Sequence, residues 1–290
     1  IIYGDLGRRE EGLVAIQEAT TLYRRLAADD PASFMADLAA SLNNLSARYG
    51  DLGRWQEALV AIEEAVEIRR RLAADYPHAS LPSFAMSLNN LSIIYGDLGR
   101  REEGLVAIQE ATTLYRRLAA DDPGSFMPEL AMSLNNLSIT YGDVGRWQEA
   151  LVAIEEAVEI RRRLAADDPA SFMADLAASL NNLSARYGEV GRWQEALVAI
   201  EEAVEIRRRL AADNPDASLP DLAASLNNLG NRLLEAGRLS EAMSANEEAV
   251  ELYRRLATAS PSAFAADLSA SLSNAAGVHL ALGDLERAIP

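Results

Sequence analysis

Apolar side chains recur along this chain at helical spacing, in two kinds of segment that alternate. In the first kind, steps of four, three and four residues join Leu38, Leu42, Leu45 and Tyr49. A period near 3.6 residues is that of an amphipathic α-helix with one buried face. The second kind has two adjoining apolar stripes, made of Ala58, Leu59, Ile62, Ala65, Val66 and Leu72. We therefore predict a helix A with one buried face, followed by a helix B that packs between neighbours on both sides.

Proline and glycine predict where these helices begin and end. One proline column consists of Pro82, Pro128 and Pro220. Proline suits a first helical turn, where its missing N–H costs nothing, so helix A is expected to begin there. The Gly-Asp-Leu-Gly of residues 50–53 predicts the end of helix A, because glycine can adopt the left-handed cap. Helix B is expected to run to about Asp75 and to be ended by Pro77.

The same unit repeats every 46 residues. Glycine has this spacing at Gly7, Gly53, Gly99, Gly145, Gly191, Gly237 and Gly283. The segment RWQEALVAIEEAVEIRRRLAAD is unchanged at 54–75, 146–167 and 192–213. A hairpin whose second helix has two apolar stripes cannot bury both by itself, so it must stack on the next hairpin. The chain is therefore predicted to be all-α, an α-solenoid of stacked antiparallel helix hairpins.

The charge balance argues against several classes of partner. The chain has 44 acidic residues against 27 basic residues, every one an arginine, and a formal net charge of −17. An acidic surface repels phosphate, so neither nucleic acid nor an anionic membrane is expected as a partner. The sequence shows no apolar run of membrane-spanning length and no secretory leader, so a cytoplasmic location is expected. The absence of cysteine excludes disulfides and thiolate sites.

Candidate catalytic chemistry is sparse. The two histidines, His78 and His279, lie in different repeats, and neither has metal-ligand spacing. No phosphate-binding loop or nucleophile motif is present. We expect no enzymatic activity, no cofactor and no metal. The Glu67 and Arg69–Arg71 region is interpreted as a solvated helix face, with Glu67 and Arg71 at a favourable i,i+4 spacing.

The repeat resembles the tetratricopeptide repeat. The family pattern of leucine, small residue and tyrosine, then glycine, then alanine, large apolar and alanine is matched by Leu45, Ser46, Tyr49, Gly53, Ala58, Ile62 and Ala65. The 46-residue length is similar to the long repeats of kinesin light chains and to the arrays attached to STAND ATPases and CHAT proteases. The resemblance implies one right-handed superhelix over residues 1–290, with about six repeats and a partial repeat at each end. The expected mid-hairpin ends suggest a fragment of a longer protein.

Five asparagine pairs occupy helix A. They are Asn43 and Asn44, Asn89 and Asn90, Asn135 and Asn136, Asn181 and Asn182, and Asn227 and Asn228. The family resemblance places these columns on a concave groove that holds partner peptides. Adjacent helical residues point about 100° apart, so at least one of each pair must face away from the hairpin core. Two interpretations stay open: one asparagine per pair reaches the groove, with Asn44 and its equivalents favoured, or both tie neighbouring helices together.

The groove columns that vary between repeats are the candidates for specificity. An apolar middle segment is predicted from Met86, Ile93, Met132 and Ile139. Arginines flank this segment at Arg48, Arg186 and Arg232. The two methionines are equally compatible with ordinary packing between helices. At the adjoining turn, Asp51, Asp97, Asp143 and Glu189 form either an acidic rim that favours basic partners or a set of helix-ending turn residues.

These features predict a binding scaffold whose concave face takes a protein or peptide segment. Two alternatives remain at this stage. The repeats could be the sensor or autoinhibitory region of a larger signalling ATPase or protease. They could also self-associate through the ends of the solenoid, since near-identical units with uncapped ends can stack end to end.

Overall fold

The computed structural model describes residues 2–283, with side chains from residue 10 onward except at position 216. Its described residues form helices and turns without a strand, which confirms the all-α prediction. The helices are α1 (Ile2–Asp29), α2 (Pro31–Asp51), α3 (Trp55–Asp75), α4 (Pro77–Asp97), α5 (Arg101–Asp121), α6 (Pro123–Asp143), α7 (Trp147–Asp167), α8 (Pro169–Glu189), α9 (Trp193–Asp213), α10 (Pro215–Glu235), α11 (Leu239–Ala259) and α12 (Pro261–Ala281). Even-numbered helices correspond to helix A and the later odd-numbered ones to helix B.

The chain divides into two compact units, residues 1–146 and residues 147–290. Unit 1 contains α1 to α6 and unit 2 contains α7 to α12. Within each unit every helix packs against the one that follows it. Two hydrogen bonds between α1 and α2 show that these helices are antiparallel: Gln17 Nε2 donates to the Tyr49 hydroxyl, and the hydroxyls of Thr20 and Ser41 bond to each other. Each unit is therefore a stack of helical hairpins.

The predicted glycine cap ends helix A in both units. Gly53 has a φ of +68°, and the equivalent glycines up to Gly283 have φ between that value and +77°. Arg54 N then donates to Tyr49 O, across the cap. A side chain at these glycines would be strained because the left-handed region is disfavoured for residues with a Cβ. The turn from helix A to helix B thus depends on one glycine in each repeat.

The predicted start of helix A is wrong. Helix A begins five residues earlier, at Pro77 in α4, and Pro82 lies inside the helix. The same holds for the prolines at 128 and 220 in α6 and α10. The first proline takes the first helical position because it directly follows the residue that caps the helix. Helix B nevertheless ends where predicted, at Asp75 in α3.

The first helix departs from the repeat pattern. The pattern predicts a turn at Gly7, whereas α1 runs through this residue without a break. The helix B expected after Gly283 lies outside the described residues.

The core follows the predicted stripes. Fully buried large side chains repeat at one position of helix A, namely Leu42, Leu88, Leu134, Leu180 and Leu226. Isoleucines with no exposure repeat at one position of helix B, namely Ile62, Ile108, Ile154 and Ile200. Ala58 and Ala65 are also fully buried, so their small side chains let neighbouring helices approach closely. The stripe predictions are confirmed.

One part of the predicted solvated face is buried. Arg69 is 5% exposed, and its Nη1 donates to Ser83 O at 2.7 Å and to Ser87 Oγ on α4. Burial lowers the pKa of Arg69 from its ordinary value. The expectation of a solvated Arg69 is therefore wrong, because this side chain ties helix B to the next helix A. Glu67 and Arg71 do form the predicted exposed ion pair, at 2.8 Å.

Candidate functional site

The asparagines of unit 1 form a hydrogen-bonded ladder between successive A helices. Asn43 Oδ1 accepts from Asn90 Nδ2 at 3.2 Å and from Ser87 Oγ at 3.2 Å. One repeat later, Asn89 Oδ1 accepts from Asn136 Nδ2 at 3.1 Å. The first asparagine of a pair therefore accepts from the second asparagine of the following repeat. This arrangement satisfies a buried carbonyl and fixes the register of α2, α4 and α6.

Unit 2 repeats the ladder. Asn181 Oδ1 accepts from Asn228 Nδ2 at 2.9 Å, and Asn227 Oδ1 accepts from Ser271 Oγ at 2.9 Å. Ser273 stands where the next repeat would carry its first asparagine. Asn135 and Asn182 are half-buried and have interaction partners, while Asn44 is exposed. The asparagine pairs thus have a structural role, and the exposed members remain on the surface of helix A.

A cavity of about 310 Å³ lies in unit 1 between α2 and α4. Its lining includes Asn43, Ala47, Gly50, Asp51, Trp55, Asn90, Ile93 and Asp97. Within the lining, the Trp55 ring packs beside Gly50, since it would lie 3.1 Å from a Cβ placed at Gly50. The cavity therefore combines an amide, an aliphatic side chain and a carboxylate within one opening.

A second cavity, of about 350 Å³, follows between α4 and α6. Its lining is Ser92, Ile93, Gly96, Asp97, Asn136, Ile139, Thr140 and Asp143. Ile93 and Asp97 line both cavities, so the two openings adjoin across α4. Together they form what we call the helix-A groove of unit 1.

The predicted apolar residues divide between two environments. Ile93 and Ile139 are 49% and 40% exposed, and both line the helix-A groove. Met86 is exposed and Met132 is half-buried, but neither lines the two cavities. The structure thus brings together the two isoleucines with Asn90 and Asn136, and leaves the methionines outside this cluster.

The predicted arginines are engaged by acids of their own helices. In unit 2, Arg186 pairs with Glu189 at 3.0 Å and Arg232 pairs with Glu235 at 2.9 Å. Their side chains are only 15% and 21% exposed. Two carboxylates of unit 1, Asp97 and Asp143, have no such arginine on their helices, where Ile94 and Thr140 stand instead. Burial raises the pKa of Asp97 above its ordinary value.

A third cavity, which the sequence reasoning missed, lies in unit 2 between α7 and α9. It has a volume of about 500 Å³, and α8 contributes Leu180, Leu183 and Tyr187 to its lining. Three of its acids are already engaged: Glu202 pairs with Arg162, Glu155 accepts from Tyr187 and Glu195 accepts from Arg192. One apolar residue of helix B, a valine outside both apolar stripes, could have indicated this cavity from the sequence. In this repeat it is Val198, which is exposed and lines the cavity.

Neither a metal-binding cluster nor a membrane-spanning helix occurs in the part of the chain that the structure describes. No group of three histidine, aspartate or glutamate side chains is placed there to hold a metal ion. No helix among residues 2–283 combines the length and apolar character needed to cross a bilayer.

Several solved structures share this fold. The crystal structure of BtubC (BKLC) from P. vanneervenii has a TM-score of 0.69 and 21% identity, covering 87% of this chain and 92% of that chain. A Podosopora anserina putative kinesin light chain with nearly identical TPR-like repeats has a TM-score of 0.59 and 23% identity, covering 79% and 100%. PilW, a type IV pilus biogenesis factor, has a TM-score of 0.58 and 15% identity, covering 87% and 89%. At these identities the likeness shows the fold alone.

Comparison with known sequences gives the family. No curated protein sequence matches the chain. Two family models, both described as tetratricopeptide repeat, match it, one at residues 38–75 and 84–123 and the other at residues 129–209 and 175–255. Together these ranges cover more than half of the chain and include repeats from both units, so the chain belongs to the tetratricopeptide repeat family.

Proposed function

We propose that this protein is a peptide-binding scaffold and that the helix-A groove of unit 1 holds an extended segment of a partner protein. The observation that carries the proposal is the pair of adjoining cavities, each of which contains an amide beside an exposed isoleucine. Asn90 and Asn136 lie in successive repeats of this groove. An extended peptide presents backbone donors and acceptors along its length, and such a repeated row of amides can bind them whatever the peptide sequence is.

The ladder leaves these amides suited to a second contact. Asn90 and Asn136 each use one Nδ2 hydrogen bond to hold the preceding repeat. A carboxamide has two N–H donors and a carbonyl with two lone pairs, so one such bond does not exhaust it. The bond to the preceding repeat also restrains the side chain. A restrained side chain loses less entropy when a peptide binds, which favours affinity.

The test is the double variant Asn90→Ala with Asn136→Ala, probed with peptides selected from a random display library against the whole chain. We expect the selected peptides to protect amides of α2, α4 and α6 from hydrogen exchange. The double variant should bind them roughly tenfold more weakly, which corresponds to the loss of about one to two net hydrogen bonds.

Asn228→Ala provides the matched control. It removes the equivalent ladder bond in unit 2, to Asn181 Oδ1, and leaves the cavities of unit 1 untouched. It should lower stability by about 0.5–1.5 kcal/mol, the range expected for each unit 1 substitution, and leave peptide affinity unchanged. Equal affinity loss in the control and the double variant, or protection confined to B helices, would refute the proposal.

A further inference from the structure

One position of helix A carries arginine as Arg48, Arg186 and Arg232 but not in the two repeats between Arg48 and Arg186, and the difference indicates what the groove takes. Arg232 on α10 stands two repeats after Thr140 on α6, at the same place in the unit. Two neighbouring positions correspond, since Gly188 and Glu189 in unit 2 match Gly96 and Asp97 in unit 1, whereas the tryptophan beside Gly188, Trp193, is replaced by Arg101. The same 46-residue unit is therefore present with an arginine in one copy and without it in another.

In unit 2 this arginine fills a slot beside the preceding A helix. Its guanidinium occupies the space that a Cβ at Gly188 would need, and Nη1 pairs with Glu235 at 2.9 Å. The side chain is 21% exposed, so most of it is packed against protein. The absence of a side chain at Gly188 is what leaves room for the planar guanidinium.

In unit 1 the corresponding slot is open. A Cβ at Gly96 would meet no atom within 4 Å, and the cavity between α4 and α6 lies there. Thr140 is too short to fill it, and its hydroxyl donates to Asn136 O at 2.9 Å. Asp97 and Asp143 stand in unit 1 where unit 2 has Glu189 and Glu235, so both positions remain acidic.

These two carboxylates are left without a basic partner. Neither Asp97 nor Asp143 has an ion pair or hydrogen-bonding side chain within the described part of the chain, whereas Arg48 pairs with Asp51 at 2.8 Å in the preceding repeat. Burial disfavours the charged form of Asp97, as its raised pKa shows. A cation in the slot would offset that cost, and a planar guanidinium can donate to two carboxylates at once.

We propose that the cavity between α4 and α6 binds an arginine side chain of the partner peptide, in the place that Arg232 fills in unit 2. The aliphatic stem of that arginine lies against Ile93 and Ile139, and its guanidinium donates to Asp97 and Asp143. This proposal rests on the proposed function, since it names the residue that the groove recognises. Ile93 and Ile94 line the adjoining cavity between α2 and α4, which suits an aliphatic residue of the partner segment beside that arginine.

The experiment uses the whole chain and a short fluorescent peptide of alternating leucine and arginine, with anisotropy as the measurement. Two matched peptides carry citrulline or lysine in place of arginine. Citrulline keeps the shape of arginine without its charge. We expect the citrulline peptide to bind roughly tenfold more weakly, and the lysine peptide to bind less tightly than the arginine peptide.

The decisive variant is Thr140→Arg, which rebuilds in unit 1 the residue present in unit 2. The new arginine should fill the slot and lower the affinity of the chain for the arginine peptide roughly tenfold or more. Thr113→Arg on α5 is the control, because it makes the same substitution and charge change at an exposed threonine with the same i−4 hydrogen bond, to Gln109 O. This control should leave affinity nearly unchanged.

Asp97→Asn with Asp143→Asn provides an independent variant in case Thr140→Arg does not fold. It should bring the affinities of the arginine and citrulline peptides close together. Equal affinity of these peptides for the unmodified chain, or full binding to Thr140→Arg, would overturn the arginine site. If library-selected peptides then still protected the amides of α2, α4 and α6 from hydrogen exchange, the proposed function would stand without the arginine site. If no peptide protected these amides, both the arginine site and the proposed function would be refuted.

Discussion

At the scale of single residues, repetition makes each position a natural comparison with its equivalents. Most columns keep one chemistry, as the buried leucines of helix A do. The informative positions are those where one copy departs from the others. Asn246 on α11 is such a departure, because this polar residue is fully buried at a position that is isoleucine in other repeats. The equivalent isoleucines are Ile62, Ile108, Ile154 and Ile200. Both polar atoms of its side chain are buried without a hydrogen-bond partner.

Asn246 is coupled to a second departure, Gly230 on α10. A Cβ at Gly230 would lie 2.5 Å from Asn246 Oδ1, so a larger residue cannot fit while the asparagine is present. The four preceding repeats carry serine at this place, and Ser46 Oγ donates to Ala58 O at 2.8 Å. The pair of glycine and asparagine thus replaces a pair of serine and isoleucine.

We predict that Asn246→Ile raises the free energy of unfolding by about 1–3 kcal/mol, because it removes an unsatisfied buried amide. Gly230→Ser alone should destabilise the protein, and in the Asn246→Ile background it should be tolerated. A double-mutant cycle from urea unfolding measures this coupling, expected at about 0.5–3 kcal/mol. Additive single effects would show that the two side chains do not contact each other.

At the scale of the element, the A helices differ in how they begin. α2, α6 and α8 follow an aspartate whose side chain accepts from the backbone N–H of a serine, as Asp30 does from Ser33 N at 3.3 Å. α4 and α10 lack a side-chain cap, and together with α6 they have an internal proline. An internal proline removes one N–H of the helix ladder and crowds the preceding turn.

We predict that Pro128→Ala stabilises α6 by about 1–3 kcal/mol, the helix gain being partly offset by a more flexible unfolded chain. Ala174 on α8 stands at the same place one repeat later, so Ala174→Pro is the reciprocal change and should destabilise by a similar amount. Circular dichroism during thermal unfolding measures both. A neutral effect of both changes would mean that the first turns of helix A contribute little to the folded state.

At the scale of the whole molecule, successive B helices are joined by ion pairs with a regular spacing. Arg70 pairs with Glu110 at 2.9 Å in unit 1, and Arg208 pairs with Glu248 at 2.5 Å in unit 2. These pairs are exposed, so each is worth only about 0–1 kcal/mol and weakens with salt. Stability in each unit therefore rests on the stacking of apolar stripes between neighbouring helices.

Two buried tyrosines and one half-buried tyrosine are expected to govern how stability responds to alkaline pH. Burial raises the pKa of Tyr115 and of Tyr253 to about 12, and burial with donation to Glu63 raises that of Tyr95 to about 12. An unfolded tyrosine ionises near pH ~10. Between these values the unfolded state holds fewer protons than the folded state, so stability falls as pH rises.

We predict that the free energy of unfolding is steady just below pH ~10 and declines as the pH rises toward about 12, where these tyrosines ionise. Ultraviolet absorbance of tyrosinate should show a late phase that coincides with loss of helix. Tyr115→Phe should reduce the slope of stability against pH in this range. An unchanged slope would show that Tyr115 ionises without cost in the folded state.

The helices, the repeat and the buried face of each helix were predictable from the sequence, apart from the start of helix A, which lies five residues before the expected proline. Local periodicity was sufficient for this, because which residues are apolar at 3.6-residue spacing decides which face a helix buries. The glycine caps were equally predictable, since φ near +70° is required at a single position in each turn. The repetition of the unit also predicted that the hairpins stack, because a single hairpin cannot bury both apolar stripes of helix B.

The use of each polar side chain depends on contacts between helices, which the sequence did not reveal. Arg69 and Arg71 belong to one basic run, yet the first is buried against α4 and the second pairs with Glu67 in solvent. The bond from Asn90 to Asn43 joins different repeats, and the open slot at Gly96 depends on a residue of the next A helix. Such contacts depend on the distance and the crossing angle between successive hairpins. Periodicity within one helix carries no information about either quantity.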